Sequence, residues 1–483
     1  WLVTLVLTFA IAAAMIGDAL TTDFSFTDNP ESEQAAALIE ELRGETTIPE
    51  LVIVASETGT VQDPAFAAYV GELQEALSAL IPESEVVFVG SYLTESGPVS
   101  EDGTTALLPV VIQTQSFGVL QEVAGEMNAI IEATGVPEGF TVRTFGNGTL
   151  NEDFTHLAEE TLQRGEAIGV LIALIILVVV FGTVVAAVVP IILAIVAITV
   201  SLGLITLLGQ VLELSFFVTN MVTMIGLAVG IDYSLFIVSR YREERQLGYA
   251  TIDAIERAGG TASRAVFFSG LIVVLAVSAM LFVPASIFVS LGLGAVTVVV
   301  AAVLAAMTLL PAVLALLGDR IERLRVRKPP ADPEQRGGIW DRVGRGVMAR
   351  PWVSLIASSL VLIVLASFWL RLDAGFSGVT TLPEDTPSRE AYELLTAADI
   401  PAGSGTPVEV VVDGTITPEV EAAIAELQTE MAGYEYELDG ATLPLFSPAT
   451  VEQGPEGELA IVSAALATDF QNDISTTAVS TLR

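Results

Sequence analysis

Apolar residues in this chain gather in long runs, and polar residues gather in two long blocks. A helix needs about 17–25 apolar residues to cross a bilayer. The runs at 1–17, 167–208, 216–239, 265–283, 286–317 and 352–370 meet that length, and 167–208 is long enough for two helices. Seven spans are therefore expected. The break inside 167–208 is offered by Phe181-Gly182-Thr183 together with Pro190, and Pro284 separates the fifth span from the sixth. Run 1–17 lacks the basic start and small-residue cleavage site of a signal peptide, so it reads as a first span cut at its N-terminal side.

The polar blocks, 18–163 and 373–483, alternate strand and helix signals. In the first, Leu51-Val52-Ile53-Val54-Ala55 after Pro49 reads as a buried strand, and Asp63-Pro64 opens a helix that Pro82 ends. Val86 to Val89, Leu107 to Gln113 and Phe140 to Phe145 read as further strands, with a helix from Ser116 to Thr134. Strand–helix–strand repeated twice is the ferredoxin-like order. The second block reads as a helix near Ser388, a strand at Val408, a helix from Pro418, a strand from Leu459 and a helical start at Ser475. One full repeat and the beginning of a second are expected, a common plan among transporters.

Charge separates along the same boundaries. The chain has 483 residues and a net charge of −38, yet 52% of it is hydrophobic. Block 18–163 holds 26 Asp plus Glu against two Arg, and block 373–483 holds 20 against two. Of the 20 Lys plus Arg, five fall in 240–264 and nine in 318–350. Basic loops stay on the cytoplasmic side, which puts both acidic blocks outside. The expected division is a first helix at 1–17, an extracytoplasmic α+β domain at 18–163, helices two to six in 164–317, and a cytoplasmic basic linker at 318–350. A seventh helix at 351–372 and a second, truncated α+β domain at 373–483 complete it. The segment 240–264 reads as a solvated connector with one membrane-facing side, and 329–338 as a flexible linker. Without Cys and with His156 alone, disulfides, thiolate chemistry and a His-based metal site are excluded. Asn147-Gly148-Thr149 fits a glycosylation sequon, but one match in a chain of this length is near chance.

Within these span limits, Asp232 is the only Asp, Glu, Lys, Arg or His. A carboxylate at that depth costs roughly 2.5–3.5 kcal/mol and usually marks an ion or proton path. The plainer alternative is a structural hydrogen bond, which Asn would make at lower cost. Tyr233 supplies a neighbouring hydroxyl. Gly226, Gly230 and Ser234, four residues apart, form a small-residue ridge for close helix packing. At 100° per residue Tyr233 falls on that ridge while Asp232 points about 100° away, so the two side chains address different neighbours.

The run from Gly230-Ile231-Asp232-Tyr233-Ser234-Leu235-Phe236 to Arg240-Tyr241-Arg242-Glu243-Glu244 resembles the fourth-span signature of the MMPL family, within the resistance–nodulation–division (RND) superfamily. Ala265-Val266-Phe267-Phe268-Ser269-Gly270-Leu271 resembles the family's fifth span, and Arg350-Pro351-Trp352 the entry to its seventh. The resemblance implies a multi-pass α-helical membrane protein with ferredoxin-like porter domains outside the cytoplasmic membrane. It implies proton-driven export of lipids or other hydrophobic molecules, with Asp232, Tyr233 and Ser269 in the proton relay. It also implies a second Asp-Tyr pair on a tenth span, beyond residue 483. The chain is therefore read as a fragment, with Asp232 on an uncovered face, Ser269 as its nearest polar neighbour and Tyr233 aimed at the absent half. No cofactor other than the proton gradient is expected. The expected partners are membrane lipids, a hydrophobic substrate, the missing C-terminal half and, optionally, a second copy; nucleic acid is not among them. Two other readings stay open: a non-transporting sterol-sensing-type regulator, and a Sec D/F-like secretion accessory. An enzyme is not expected, because no nucleophile–base pair, metal cluster or phosphate loop is present.

Overall fold

The first apolar run folds as helix α1 (Leu2–Ala19), in a computed structural model. The structure describes residues 1–466 apart from 24, 27, 45–46, 58, 82–83, 115, 327–338, 373–377, 399–402, 439–440 and 455–456. The expected linker at 329–338 and the helical start at Ser475 lie outside the described residues.

After the short strand β1 (Leu20–Thr21), the first polar block contains a helix that the strand–helix reading did not include, α2 (Glu31–Arg43). Pro30 precedes it, Glu31 and Glu33 occupy its first turn, and Gly44 at φ 81 ends it. Then follow β2 (Thr47–Ser56), α3 (Pro64–Ser78), β3 (Val86–Val89), β4 (Thr105–Gln113), α4 (Phe117–Thr134) and β5 (Phe140–Phe145). The four strands form one antiparallel sheet in the order β3-β4-β2-β5. β2 is longer than its apolar core because it runs through Pro49. Pairing with β5 begins only at Leu51, so the missing Pro49 N–H has no ladder partner to disappoint on that side. Side chains alternate across the sheet. Val52 and Val54 pack with Leu73, Leu120 and Met127 under α3 and α4. Ile53, Leu107 and Phe145 form the opposite face.

The bundle is made from α5 (Asn147–Phe181), α6 (Val184–Gly209), strand β6 (Leu214–Ser215), α7 (Phe217–Gln246), α8 (Thr251–Ala258), α9 (Arg264–Val277), α10 (Ser286–Leu304) and α11 (Leu310–Leu317). Gly182, at φ 69, ends α5 in the left-handed conformation. Pro190 lies inside α6 and does not break it, so the turn at 182–183 separates the two helices by itself. Pro311 cannot donate a hydrogen bond, and a π turn over Ala305–Leu309 precedes it. Among the described residues, six helical segments are long and apolar enough to cross a membrane: Asn147–Phe181, Val184–Gly209, Phe217–Gln246, Thr251–Phe282, Ser286–Glu322 and Pro351–Leu370. The first run gives a shorter apolar helix, packed along α6. β1 pairs in parallel with β6 and ties α1 to the start of α7. α6, α7 and α10 form the centre of the bundle. In the connector, α8 buries Ala254 and Ala258 and exposes Ile252, while Arg257 lies over the Tyr249 ring at 3.9 Å.

Helix α12 (Ile339–Ala349) leads to α13 (Pro351–Ser367), in which no residue is buried. The second polar block holds α14 (Pro387–Ala397), β7 (Gly403–Asp413), α15 (Pro418–Ala432), β8 (Glu435–Leu438), β9 (Ala441–Pro444), β10 (Thr450–Gln453) and β11 (Leu459–Leu466). The hairpin β8–β9 and strand β10 are additions to the expected order, and β10-β11-β7 forms the sheet. The two blocks pack together. α14 places Ala391 and Leu395 on Ile53, Leu107 and Phe145. Arg143 of β5 pairs with Glu390 at 2.6 Å, and Arg43 reaches Glu409 at 2.6 Å and Glu452 at 2.8 Å.

Candidate functional site

The middle of α7 holds the residues on which the chemistry was expected. Its small-residue ridge is used against α6 and α10. A Cβ added to Gly226 would lie 2.5 Å from Ile198 Cγ1 and 2.7 Å from Val298 Cγ2, and one on Gly230 would lie 2.8 Å from Ala194 Cα. The Ser234 hydroxyl donates to the Gly230 carbonyl at 2.6 Å, so this polar group is satisfied within its own helix. The ridge fixes the rotation of α7, and that rotation decides where the neighbouring side chains point.

Asp232 is exposed on the far side and forms no hydrogen bond or ion pair with a described residue. Ser269, on α9, is exposed as well and does not bond to it. Tyr233 corrects the expectation that it faces an absent half. It is 7% exposed and its ring lies against Gly270 of α9. A Cβ on Gly270 would be 3.6 Å from the Tyr233 hydroxyl and would also meet Val303 of α10. The tyrosine thus enters a gap that the glycine leaves, and its hydroxyl has no hydrogen-bond partner. One residue step, about 100° of helix, separates an open carboxylate from an enclosed phenol.

Along α7 from Asp232, Phe236 and Ser239 come one and two turns later. There they line a groove of about 430 Å³ with Leu235, Arg240, Glu243, Thr261 and Ala262. Arg240 pairs along its own helix with Glu243 at 3.0 Å and with the buried Glu244 at 2.6 Å. Arg242 ties this end of the bundle together. It donates to the Phe181 carbonyl at the end of α5 and to Glu322, both at 2.7 Å. Cations are favoured at such helix C-termini.

A second carboxylate was missed. The sequence reading began the second span at residue 167, but α5 is continuous, and Glu166 lies on it facing α7. The Thr223 hydroxyl donates to Glu166 Oε1 at 2.6 Å. Thr223 stands nine residues before Asp232, about 13 Å along the helix and on its opposite side. The signal that could have found it was Thr223 itself, a polar residue inside an apolar run. Replacing Thr223 by Val removes this donor without changing shape. We expect a loss of about 0.5–1.5 kcal/mol in unfolding free energy, read as a lower denaturation midpoint in detergent. An unchanged midpoint would show that the bond contributes nothing net.

The profile of the MMPL family matches residues 23–354. A membrane protein of Streptomyces coelicolor is 30% identical over 440 residues, 90% of this chain and 59% of that protein. The mycolic acid-containing lipids exporter MmpL11 of Mycolicibacterium smegmatis is 31% identical over 345 residues, 70% of this chain and 35% of its own length. The trehalose monomycolate exporter MmpL3 of the same species is 27% identical over 428 residues, 81% of this chain and 42% of its own. The chain thus spans less than two thirds of the length of each of these relatives.

Proposed function

Because the chain belongs to the MMPL family, a family of multi-pass membrane proteins, we propose that it works in a transporter that moves lipids or other hydrophobic molecules out across the cytoplasmic membrane, driven by the proton-motive force. In this reading the two acidic blocks stand outside and the basic segments 240–264 and 318–350 inside, as the charge bias favours. The first block is a ferredoxin-like porter domain, a reading supported by its sheet order β3-β4-β2-β5, and 373–483 begins its repeat.

The observation that carries the proposal is Asp232: an unpaired carboxylate exposed on an otherwise apolar stretch of α7. A group of this kind, at a cost of roughly 2.5–3.5 kcal/mol, makes no bond to a described residue that would justify it and is suited to accept and release a proton. The groove lined by Ser239, Arg240 and Glu243 lies further along α7, between Asp232 and the basic connector. Ser269 is likewise exposed, on α9, and the Tyr233 ring packs against Gly270 of the same helix. A second set of helices, in the same polypeptide or another copy, covers Asp232 in the working transporter. The exporter names of MmpL11 and MmpL3 support lipid as the cargo class.

The test is reconstitution in proteoliposomes with a fluorescent lipid, an imposed pH gradient, and proton flux followed together with lipid movement. We expect lipid movement that requires the gradient and is accompanied by protons. Gradient-independent movement, or movement without proton flux, would overturn the coupling. Coupled transport by a demonstrated monomer of residues 1–483 would overturn the need for a second set of helices.

A further inference from the structure

Far from Asp232, the first polar block buries a carboxylate that no expected function uses. Glu50 lies on β2, opposite Val110 of β4, and has no solvent exposure. Its side chain runs on the same face as Val52 and ends against the first turn of α5. Oε1 accepts from the Gly148 N–H at 2.5 Å. Oε2 accepts from the Thr149 hydroxyl at 2.8 Å and from the Thr149 N–H at 3.3 Å. The backbone is shaped around it. A Cβ on Gly146 would collide with the Glu50 carboxylate, and one on Gly148 would collide with the Leu120 carbonyl of α4. The residues that resemble a sequon, Asn147-Gly148-Thr149, thus form a carboxylate cradle, with Thr149 only 1% exposed.

Two features distinguish this from an ordinary helix cap. Capping carboxylates usually sit in water and stay charged, whereas this one is enclosed and, among the described residues, has no cation beside it. The elements around it present Val110 from β4 and Leu120 from α4, both apolar. Among the described residues, the charge that reaches it is like-signed, Glu152, one turn further along α5.

We propose that Glu50 is a proton-binding site of the first polar block, separate from Asp232, and that its protonation sets how firmly the N-terminus of α5 is held to the sheet. Burial drives its pKa up to about 7 against the opposing hydrogen bonds from Gly148 and Thr149, and Glu152 adds to the rise. The sign follows. The folded pKa is raised, so the attachment is strongest below the ordinary carboxylate range and weakens as pH climbs through about 7. Since α5 continues unbroken into the bundle, a proton bound in the polar block is registered at the membrane. The inference stands whatever cargo is carried and whether or not Asp232 couples protons.

The experiment is infrared difference titration of the whole chain, following the protonated-carboxyl band. Wild type should gain one protonated carboxyl group with a midpoint near pH 7, and Glu50→Gln should lack that component. Thr149→Val removes a bond to the charged form, so its midpoint should move to higher pH. Hydrogen exchange of the peptide holding Gly148 and Thr149, corrected for intrinsic rates, should lose protection roughly tenfold or more between about pH 5 and about pH 8 in wild type. Glu50→Gln should show no such change. A component near pH 7 that survives Glu50→Gln, or a wild-type midpoint in the ordinary carboxylate range, would overturn the proposal. If Glu50→Gln does not fold, Thr149→Val decides: an unmoved midpoint overturns it.

Discussion

Asp232→Asn is expected to insert and fold as wild type does and to lose gradient-driven proton flux and lipid movement down to the level of empty liposomes. Asn keeps the shape of the side chain and removes the only property that the proposal needs, the exchangeable proton. Stability should not suffer, because Asp232 makes no bond to a described residue. Relieving a charge that costs roughly 2.5–3.5 kcal/mol in an apolar span should, if anything, raise the melting temperature. The two readouts must be taken together. Loss of flux with an intact or raised melting temperature supports a coupling role, whereas retained proton-coupled transport would place the coupling elsewhere on the molecule.

The second large effect is mechanical and concerns α1. Two glycines of α6 let the first helix approach backbone to backbone. A Cβ on Gly203 would lie 2.5 Å from Thr8 Cβ and 2.6 Å from its carbonyl oxygen, and one on Gly209 would collide with the Ala19 carbonyl. Backbone atoms inside a helix cannot move aside as the tip of a side chain can. Overpacking costs about 1–3 kcal/mol at a typical site, and Gly203→Leu combined with Gly209→Leu should exceed that and separate α1 from the bundle. The chain has no Cys, so a cysteine pair introduced across α1 and α6 reports their contact without background. The expected result is loss of the crosslink and a lower melting temperature. An intact crosslink in the double variant would show that the helices tolerate a wider spacing than the structure gives them.

The sequence carried some of this and not the rest, for identifiable reasons. Apolar run lengths located the spans, and Gly182 marked the turn between α5 and α6, because a left-handed residue at a helix end favours glycine. The exposed position of Asp232 followed from the small-residue ridge and the helical repeat. The helical repeat also put Tyr233 on the ridge side, against the aim at an absent half that the resemblance implied, but it did not give the residue that Tyr233 meets. Periodicity gives the angle between two side chains but not which neighbour fills the space, and here the neighbour is a glycine 37 positions away on α9, Gly270. Glu50 escaped for a different reason. Pro49 suggests a strand boundary, which leaves the acid outside the strand, whereas the pairing of β2 with β4 runs through Pro49 to Thr47. Glu166 was hidden by drawing the second span from its first apolar residue, although the helix begins at Asn147.

The continuity of α5 has a geometrical consequence. At 35 residues it is a rod of about 52 Å, much longer than the roughly 30 Å of hydrocarbon it would cross. One end is pinned by Arg242 on the Phe181 carbonyl, beside the left-handed Gly182, and the other is seated in the sheet. Such a rod acts as a lever with its fulcrum at Gly182. A tilt of only about 5° there would sweep the far end sideways by about 4–5 Å, for a rod of that length. That travel is nearly the spacing between neighbouring strands, so a small rotation deep in the bundle suffices to shift a whole sheet by one strand width.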